Sequence, residues 1–381
     1  MQQRQAEGLL RQRLLRDGRC EPYQQLDGQA LVSFCSNDYL GLAAHPEVIA
    51  AFQQAAGHYG VGSGASHMVT GHCRIHQQLE EALAEFTGRD KALLFSTGYM
   101  ANMGVINALA DEHTVILQDA LNHASLLDGG WLSRGQSRRY AHSDLTALES
   151  WLQSAHGPCL IVSDGVFSMD GDMAPMAGLV ALAQQYQAAL MIDDAHGIGC
   201  VGESGRGVIA HSGWLAQEQV PVLVGTFGKA FGTAGAFVAG DRDLIEFIEQ
   251  FARTYVFTTA MPPALAAATL RSLQLIQRES WRREYLNTLI ARFRHETTRL
   301  GLAMLPSESP VQALVLGDVE KTMAASRYLR TRGFQVSAIR PPTVPTGTAR
   351  LRFTLSAAHT ETQLHQLLAV MADMTHDLEL S

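Results

Sequence analysis

The stretch ALMIDDAHG, residues 189–197, is an apolar run that ends on two aspartates and a histidine. A short apolar run without alternation fits a strand buried on both faces, as in a parallel sheet covered by helices. The same pattern recurs on both sides of it. KALLF (91–95), HTVILQD (113–119), CLIVSD (159–164) and PVLVGT (221–226) read as strands of this kind, and several end in Asp, Ser or Thr. Helical stretches separate them, at 75–87 and through STGYMANMGVINALA. The expectation is an α/β fold with a mostly parallel central sheet covered by helices. Ligands of such sheets gather at the carboxyl ends of the strands, where the polar residues of this chain fall.

Outside this region the texture differs. Residues 4–16 read as a short amphipathic helix, and DGQALVSFCSNDYLGL as a strand followed by a turn. After about residue 262, MPPALAAATLRSLQLIQ and residues 280–300 read as helices. VQALVLG, FQVSAI and ARLRFTL follow as strands, with helices near 319–332 and 360–378. The expected division is an N-terminal segment 1–45, a large domain 46–275 and a smaller C-terminal α+β domain 276–381.

Of the 381 residues, 46% are hydrophobic and 17% charged, which suits a well-buried core. The 29 basic and 37 acidic residues leave a net charge of −8, which argues against broad attraction to nucleic acid or an anionic membrane. Cys20, Cys35, Cys73, Cys159 and Cys200 are scattered, with no C-x-x-C pair. They read as buried thiols of a reducing cytoplasm, neither a disulfide framework nor a zinc site. MQQRQAEGLLRQRLL does not read as a signal peptide, and no run of about 18 apolar residues suggests a membrane span.

The chemistry starts at VGTFGKAFGTAG, residues 224–235, where Lys229 sits among small residues. A phosphate loop needs G-x-x-x-x-G-K-[ST], but Leu223 holds the first glycine position and Ala230 follows the lysine. Two readings remain: a surface lysine in a flexible loop, or a Schiff-base lysine with room for a flat cofactor. Asp193 has three: a capping carboxylate, a metal ligand with Asp194 and His196, or the group that keeps a pyridoxal ring nitrogen protonated. No further ligand cluster with suitable spacing stands out, so no metal is expected. Ser96, Thr97 and Gly98 open a helix, as an ordinary N-cap or as a phosphate site. His123, in LNHASLLDG, is either structural or placed to stack on a planar ring. SDGVFSMDGDMAP is a turn-rich loop after a strand, with Asp164 and Ser168 at the same sheet edge. GVGSGA (60–65) fits G-x-G-x-x-A but follows a helical stretch, so it reads as a flexible substrate-side segment.

SNDYLGL, GSGASHMVTG, STGYMAN, NHASLLDG, DGVFSMDGD, DDAHGIG, TFGKAFGTAG, TTAMPP and AIRPPTVPTGTARLRFTLSAAH occur in this order. Together they resemble the α-oxoamine synthases, over nearly the whole chain. These are fold-type-I enzymes of pyridoxal 5'-phosphate that condense an amino acid with an acyl thioester and release carbon dioxide. The resemblance implies that Lys229 forms the Schiff base, that Asp193 pairs with the ring nitrogen and that His196 bonds the phenolic oxygen. His123 would stack on the ring and could polarise a substrate oxygen. Gly98, Tyr99 and Thr226 would hold the phosphate and Ser168 would touch the cofactor. A homodimer is implied, in which Thr258 and Thr259 reach the neighbour's phosphate. Asn37 and Arg340 would hold the amino-acid carboxylate, and Thr343 would line the pocket.

IRPPTVP ahead of GTARLR points to the branch that joins L-alanine to a pimeloyl thioester, carried by coenzyme A or acyl carrier protein, on the way to biotin. GLLR agrees with Arg11 at the pimeloyl end, with Arg13 and Arg16 close by. One departure is plain: the family pattern GSGGSR has arginine after serine, whereas His67 follows Ser66 here. A glycine-using sister enzyme is the nearest alternative, since a single methyl group separates the two amino acids. The lack of a membrane-associating segment disfavours a sphingoid-base synthase. A non-catalytic partner subunit is the alternative of another class, and Lys229, Asp193 and His196 argue against it.

Overall fold

The structure, a computed structural model, describes residues 13–213 and 216–378. They gather into two compact units. One unit takes the described residues up to Ala44, Ser168–Asp172 and those from Ser280 onward; the other takes His45–Phe167 and Met173–Glu279.

In the first unit, β1 (Arg16–Asp17), β2 (Tyr23–Leu26) and β3 (Gln29–Ser33) form an antiparallel ribbon. Asp27 and Gly28 join β2 to β3 with φ of 51° and 75°. That is the left-handed pair a two-residue hairpin turn needs, and Asp-Gly supplies it. The helix expected at 4–16 is corrected where the chain is described. Arg16–Asp17 pairs with β2 instead, and Gly18, with φ of 92°, turns the chain there. Residues 1–12, and with them Arg11, lie outside the described residues.

The second unit carries a seven-stranded sheet. Its strands are β4 (Lys91–Phe95), β5 (Val115–Asp119), β6 (Gln136–Tyr140), β7 (Cys159–Asp164), β8 (Ala189–Asp193), β9 (Val222–Thr226) and β10 (Ala236–Gly240). The order is β4-β10-β9-β8-β7-β5-β6, parallel from β9 to β6, with β10 antiparallel to both neighbours. Two of these strands carry no apolar-run signal of the expected kind or place. The edge strand β6 is mostly exposed and polar. β10 returns directly from β9 through residues 227–235, without a helical crossover. That direct return is what puts Lys229 at the carboxyl edge of the sheet.

The core of this unit packs Leu93, Val105, Ile116, Val162, Met191, Val224 and Val238 between sheet and helices, all essentially buried. Burying each such side chain contributes about 1.5–3 kcal/mol. The helix Pro263–Arg278 stays with this unit. Its small buried residues Ala264, Ala266 and Ala268 allow close approach, and Arg278 bonds Glu47 of the helix Pro46–Tyr59 at 2.7 Å.

The first unit is completed by β11 (Val311–Gly317), β12 (Phe334–Gln335), β13 (Ser337–Ile339) and β14 (Ala349–Thr354), with the helices Trp281–Arg299, Val319–Thr331 and Glu361–Asp377. FQVSAI, read as one strand, is split. Phe334–Gln335 runs parallel to β3, and Ser337–Ile339 joins the sheet β11-β14-β13. Val336 sits at the switch, with its side chain buried and its carbonyl bonded by Ser326 at 2.9 Å.

None of the five cysteines is in a disulfide. Only Cys200 is buried, which corrects the expectation of five buried thiols; the other four are partly exposed. No described helix is long and apolar enough to cross a membrane.

Candidate active site

β8 ends on Asp193, and the alternation of a strand sends the next aspartate the other way. Asp193 accepts from the Ala195 N–H at 3.0 Å and from Asn102 Nδ2 at 2.6 Å. Asp194 is fully buried and caps the following loop, accepting from the Val208 N–H at 2.8 Å. A Cβ on Gly197 or Gly207 would fall about 2 Å from its oxygens, so both positions require glycine. Burial pushes the Asp194 carboxyl well above the usual range. The pair is thereby sorted: Asp194 is a structural cap, and Asp193 is presented by amide donors at the strand end.

Asp164 ends β7 opposite Asp193 in register. Burial raises its carboxyl, and the charge of Asp193 adds to that. It accepts the His123 backbone N–H at 2.6 Å and so anchors the turn that opens the helix Ala124–Leu132. The His123 Nδ1 accepts from the Ser125 N–H at 3.3 Å and lies 2.7 Å from Ser125 Oγ. The His123 imidazole is held below its ordinary pKa by desolvation; Asp193 opposes that and Lys229 reinforces it. Lys229 therefore acts electrostatically on His123, Asp164 and Asp194 together.

The loop that carries Lys229 is not loose, against the reading of a flexible surface loop. Phe227 bonds Gly235 at 2.9 Å, and Gly232 bonds the Lys229 carbonyl at 2.8 Å. Phe227 and Phe231, both buried, flank the lysine and meet at 5.3 Å between ring centres, with Phe237 against Phe227 at 5.6 Å. His196 is buried in the turn after β8.

The helix Gly98–Leu109 begins at the end of β4, capped by Thr97, whose side chain accepts from the Met100 N–H at 3.1 Å. The first-turn N–H groups of a helix lack intrahelical partners and favour anions. A Cβ on Gly98 would come no nearer than 3.8 Å to Thr226 Oγ1, and one on Gly228 no nearer than 3.9 Å. Two glycines thus stand within contact distance of one hydroxyl at a helix start, where backbone N–H groups favour an anion such as a phosphate group. Gly98 and Asn102 are four apart and share a helix face. One helix thereby serves both this cradle and Asp193. Tyr99 is exposed and its hydroxyl bonds Asp128. Thr259 pairs with Ser66, and its carbonyl accepts from Ser96 Oγ at 3.4 Å; Thr258 precedes it, half-buried.

In the other unit, Asn37 and Ser168 meet at Arg352, a residue the sequence reading did not single out. Arg352 donates through Nε to the Ser168 carbonyl at 2.6 Å and through Nη2 to Asn37 Oδ1 at 3.3 Å. Arg350, two residues back on the same face of β14, pairs with Asp170. Both arginines are buried. Arg340 and Thr343 lie together just after β13, the Thr343 N–H donating to the Arg340 carbonyl at 3.1 Å. Asn102 and Ser125 were also missed. STGYMAN and NHASLLDG contain them, and the i, i+4 step from Gly98 to Asn102 was the usable signal.

The chain matches the family described as aminotransferase class I and II over residues 29–371. It is 56% identical over 377 residues to an 8-amino-7-oxononanoate synthase of Pseudomonas putida (strain GB-1), covering 99% of this chain and 96% of the relative. It is 55% identical over 378 residues to that of Pseudomonas aeruginosa (strain LESB58), covering 99% and 94%. Among solved structures, a serine palmitoyltransferase from S. paucimobilis, with PLP bound together with myriocin, superposes with a TM-score of 0.95. The two share 30% identity, over 100% of this chain and 96% of that one. An 8-amino-7-oxononanoate synthase from Francisella tularensis superposes with a TM-score of 0.79 at 30% identity, over 91% and 98%. The fold is that of the fold-type-I pyridoxal-phosphate transferases, and the chain belongs to the class I and II aminotransferase family, within it to the branch of the curated 8-amino-7-oxononanoate synthases.

Proposed function

We propose that this chain is a pyridoxal-phosphate-dependent acyltransferase that condenses L-alanine with a pimeloyl thioester. The products are 8-amino-7-oxononanoate, carbon dioxide and the free thiol, a step of biotin synthesis. The observation that carries the reading is Asp193, a strand-end carboxylate held by Asn102 and Ala195 in the unit that also holds Lys229. The identity to curated synthases over nearly the full length supports the substrate pair.

The residues fit the cofactor. Gly98, Tyr99 and Thr226 would hold the phosphate, Asp193 would face the ring nitrogen, and His196 the phenolic oxygen. Ser168 would contact the cofactor, and Thr258 and Thr259 would serve the site of the partner in a homodimer. Pyridoxal phosphate supplies an electron sink for the α-carbon of the amino acid. Lys229 would carry it covalently, release it to the incoming alanine, take the α-proton on Nζ and later return that proton. His123 would cover one ring face. Its Nδ1 is engaged by Ser125, so its proton sits on Nε2, from which it can donate to the thioester oxygen. Asn37 and Arg340 would hold the alanine carboxylate, an arginine fork binding both oxygens. Thr343 would line the pocket, and Arg11 would meet the distal pimeloyl carboxylate. The enzyme would work in the cytoplasm.

Carboxyl-labelled alanine or glycine, offered with pimeloyl-, acetyl- or succinyl-coenzyme A, tests this. Labelled carbon dioxide is expected only from alanine with the pimeloyl thioester. Release from glycine with a short thioester would move the chain to a sister activity. No release from any pair, nor with pimeloyl-acyl carrier protein, would overturn the enzymatic reading.

A further inference from the structure

A second cluster of reactive side chains lies in the segment GASHMVTGHCRIH, residues 64–76, outside the residues assigned above. The chain makes a π turn at His67–Gly71 and then the helix Arg74–Thr87. The Gly71 N–H donates to the Ser66 carbonyl at 2.9 Å, a five-residue step. Such turns are rare and concentrate at functional sites. This one needs glycine, because a Cβ on Gly71 would fall 2.0 Å from the Ala65 carbonyl oxygen.

The wide turn brings residues five apart face to face. His67 Nδ1 lies 2.9 Å from His72 Nδ1. His76 follows one helical turn later, and one ring nitrogen of each of the three lies within 4.8 Å of the others. Their remaining contacts fix the lone pairs. His76 Nε2 lies 2.8 Å from the Met261 carbonyl and donates to it. Its Nδ1 is then an acceptor, which takes the Cys73 N–H at 3.1 Å in the capping box of the helix, a bond that a bound ion would replace. His72 Nε2 faces the buried carboxyl group of Glu80 at 3.9 Å. The His67 ring is stacked on Tyr255, centres 5.0 Å apart and planes 13° from parallel. His72 has the usual arrangement of a metal ligand, its outer nitrogen toward a carboxyl group and its inner nitrogen toward a fellow imidazole. Two imidazole lone pairs cannot face each other at this separation without a proton or a cation between them. Cys73 Sγ, 3.4 Å from His76 Nδ1, is a soft fourth donor.

We propose that His67, His72 and His76 bind a divalent transition-metal ion, zinc by preference, with Cys73 as the fourth donor and Glu80 and Met261 orienting the rings. Imidazole and thiolate donors in a set of four are the chemistry zinc selects. The ion would tie the π turn to the helix that follows it. Sequence spacing did not reveal the site, because a pair of histidines five apart meets only across a π turn.

The test uses the cofactor-loaded enzyme without an affinity tag, stripped with chelator. It is titrated with zinc chloride by calorimetry and with cobalt(II) by absorption. One ion per chain is expected, with a rise in melting temperature and cobalt bands of a tetrahedral nitrogen and sulfur set. His67→Gln and His72→Gln, both partly exposed positions, should each weaken zinc binding by at least about tenfold, with circular dichroism unchanged. Absence of saturable binding at micromolar zinc, or binding untouched by both replacements, would overturn the proposal. Should the variants misfold, zinc X-ray absorption of the loaded wild-type chain decides. A shell of nitrogen neighbours at about 2.0–2.1 Å supports the site, and a shell of oxygen alone refutes it.

Discussion

Asn102 Nδ2 donates to Asp193 Oδ2 at 2.6 Å and also reaches Ser125 Oγ at 2.9 Å. Ser125 in turn lies 2.7 Å from His123 Nδ1. One buried amide therefore orients both the carboxylate proposed for the ring nitrogen and, through a hydroxyl, the imidazole proposed for the ring face. Its own Oδ1 is buried without a hydrogen-bond partner among the described residues, so the amide bonds through Nδ2 alone, to these two acceptors.

Replacing Asn102 by alanine should lower kcat by about tenfold to a hundredfold, the loss expected for a hydrogen bond to a charged group at 1.5–3 kcal/mol. KM for alanine should move less, because the residue's bonds go to Asp193 and Ser125, neither of which is assigned to hold alanine. Asn102→Asp should be worse, since it sets a second carboxylate against Asp193. Steady-state kinetics of both variants, with α-proton exchange in alanine followed by NMR, check this. Wild-type exchange in Asn102→Ala would show that the contact is only structural.

Lys229→Ala should abolish turnover and leave the melting temperature within a few degrees, because the loop is pinned by Phe227 and Phe231 on either side of the lysine. Asp193→Asn should slow α-proton exchange by orders of magnitude, since a neutral amide cannot hold the ring nitrogen protonated. Near-normal activity of the lysine variant, or unchanged exchange in the aspartate variant, would remove that residue from its assigned role.

The parts legible in the sequence were those with local signatures. The apolar runs of β4, β5, β7, β8 and β9 announced the parallel sheet, and the Asp, Ser and Thr residues closing them announced its reactive edge. β6 has no apolar run because it is an exposed edge, and β10 is placed by a pairing that no local pattern encodes. The choice between Asp193 and Asp194 rested on the resemblance alone until the structure showed which one Gly197 and Gly207 enclose. Asn102 and Arg352 escaped for a related reason. Each acts on residues far away in the chain, Asp193 for one and Asn37 and Ser168 for the other.

Arg352 leads to the next prediction. Its guanidinium spans the Ser168 carbonyl and the Asn37 side chain from a buried position. A lysine there has the charge but not the fork, so Arg352→Lys should leave one of the two partners unpaired. The expected cost is about 1–3 kcal/mol of stability, seen as a lower melting temperature. Since Asn37 is assigned to the alanine carboxylate, KM for alanine should rise as well. A lower melting temperature with KM unchanged would confine Arg352 to a structural role.

His359 sets a pH dependence in the unit built on β3 and β14. Its ring is buried, stacked on Phe34 at 4.1 Å, accepts from the Ser356 N–H through Nδ1 at 3.0 Å and meets the Ser33 carbonyl through Nε2 at 3.0 Å. Burial lowers its pKa from 6.5 to about 4. Between these values the unfolded chain binds a proton that the folded one refuses, so stability rises with pH across that window. It is complete above about 6.5 and lost as the pH falls toward 4, at most about 3 kcal/mol for a shift of this size. Gln at this position keeps an amide in place of the ring but cannot titrate. His359→Gln should therefore be less stable than wild type at pH 8, yet lose less on acidification to pH 5. Melting temperatures of both proteins across that range check the sign. Parallel pH curves would mean that another buried group, not His359, governs the acid limb.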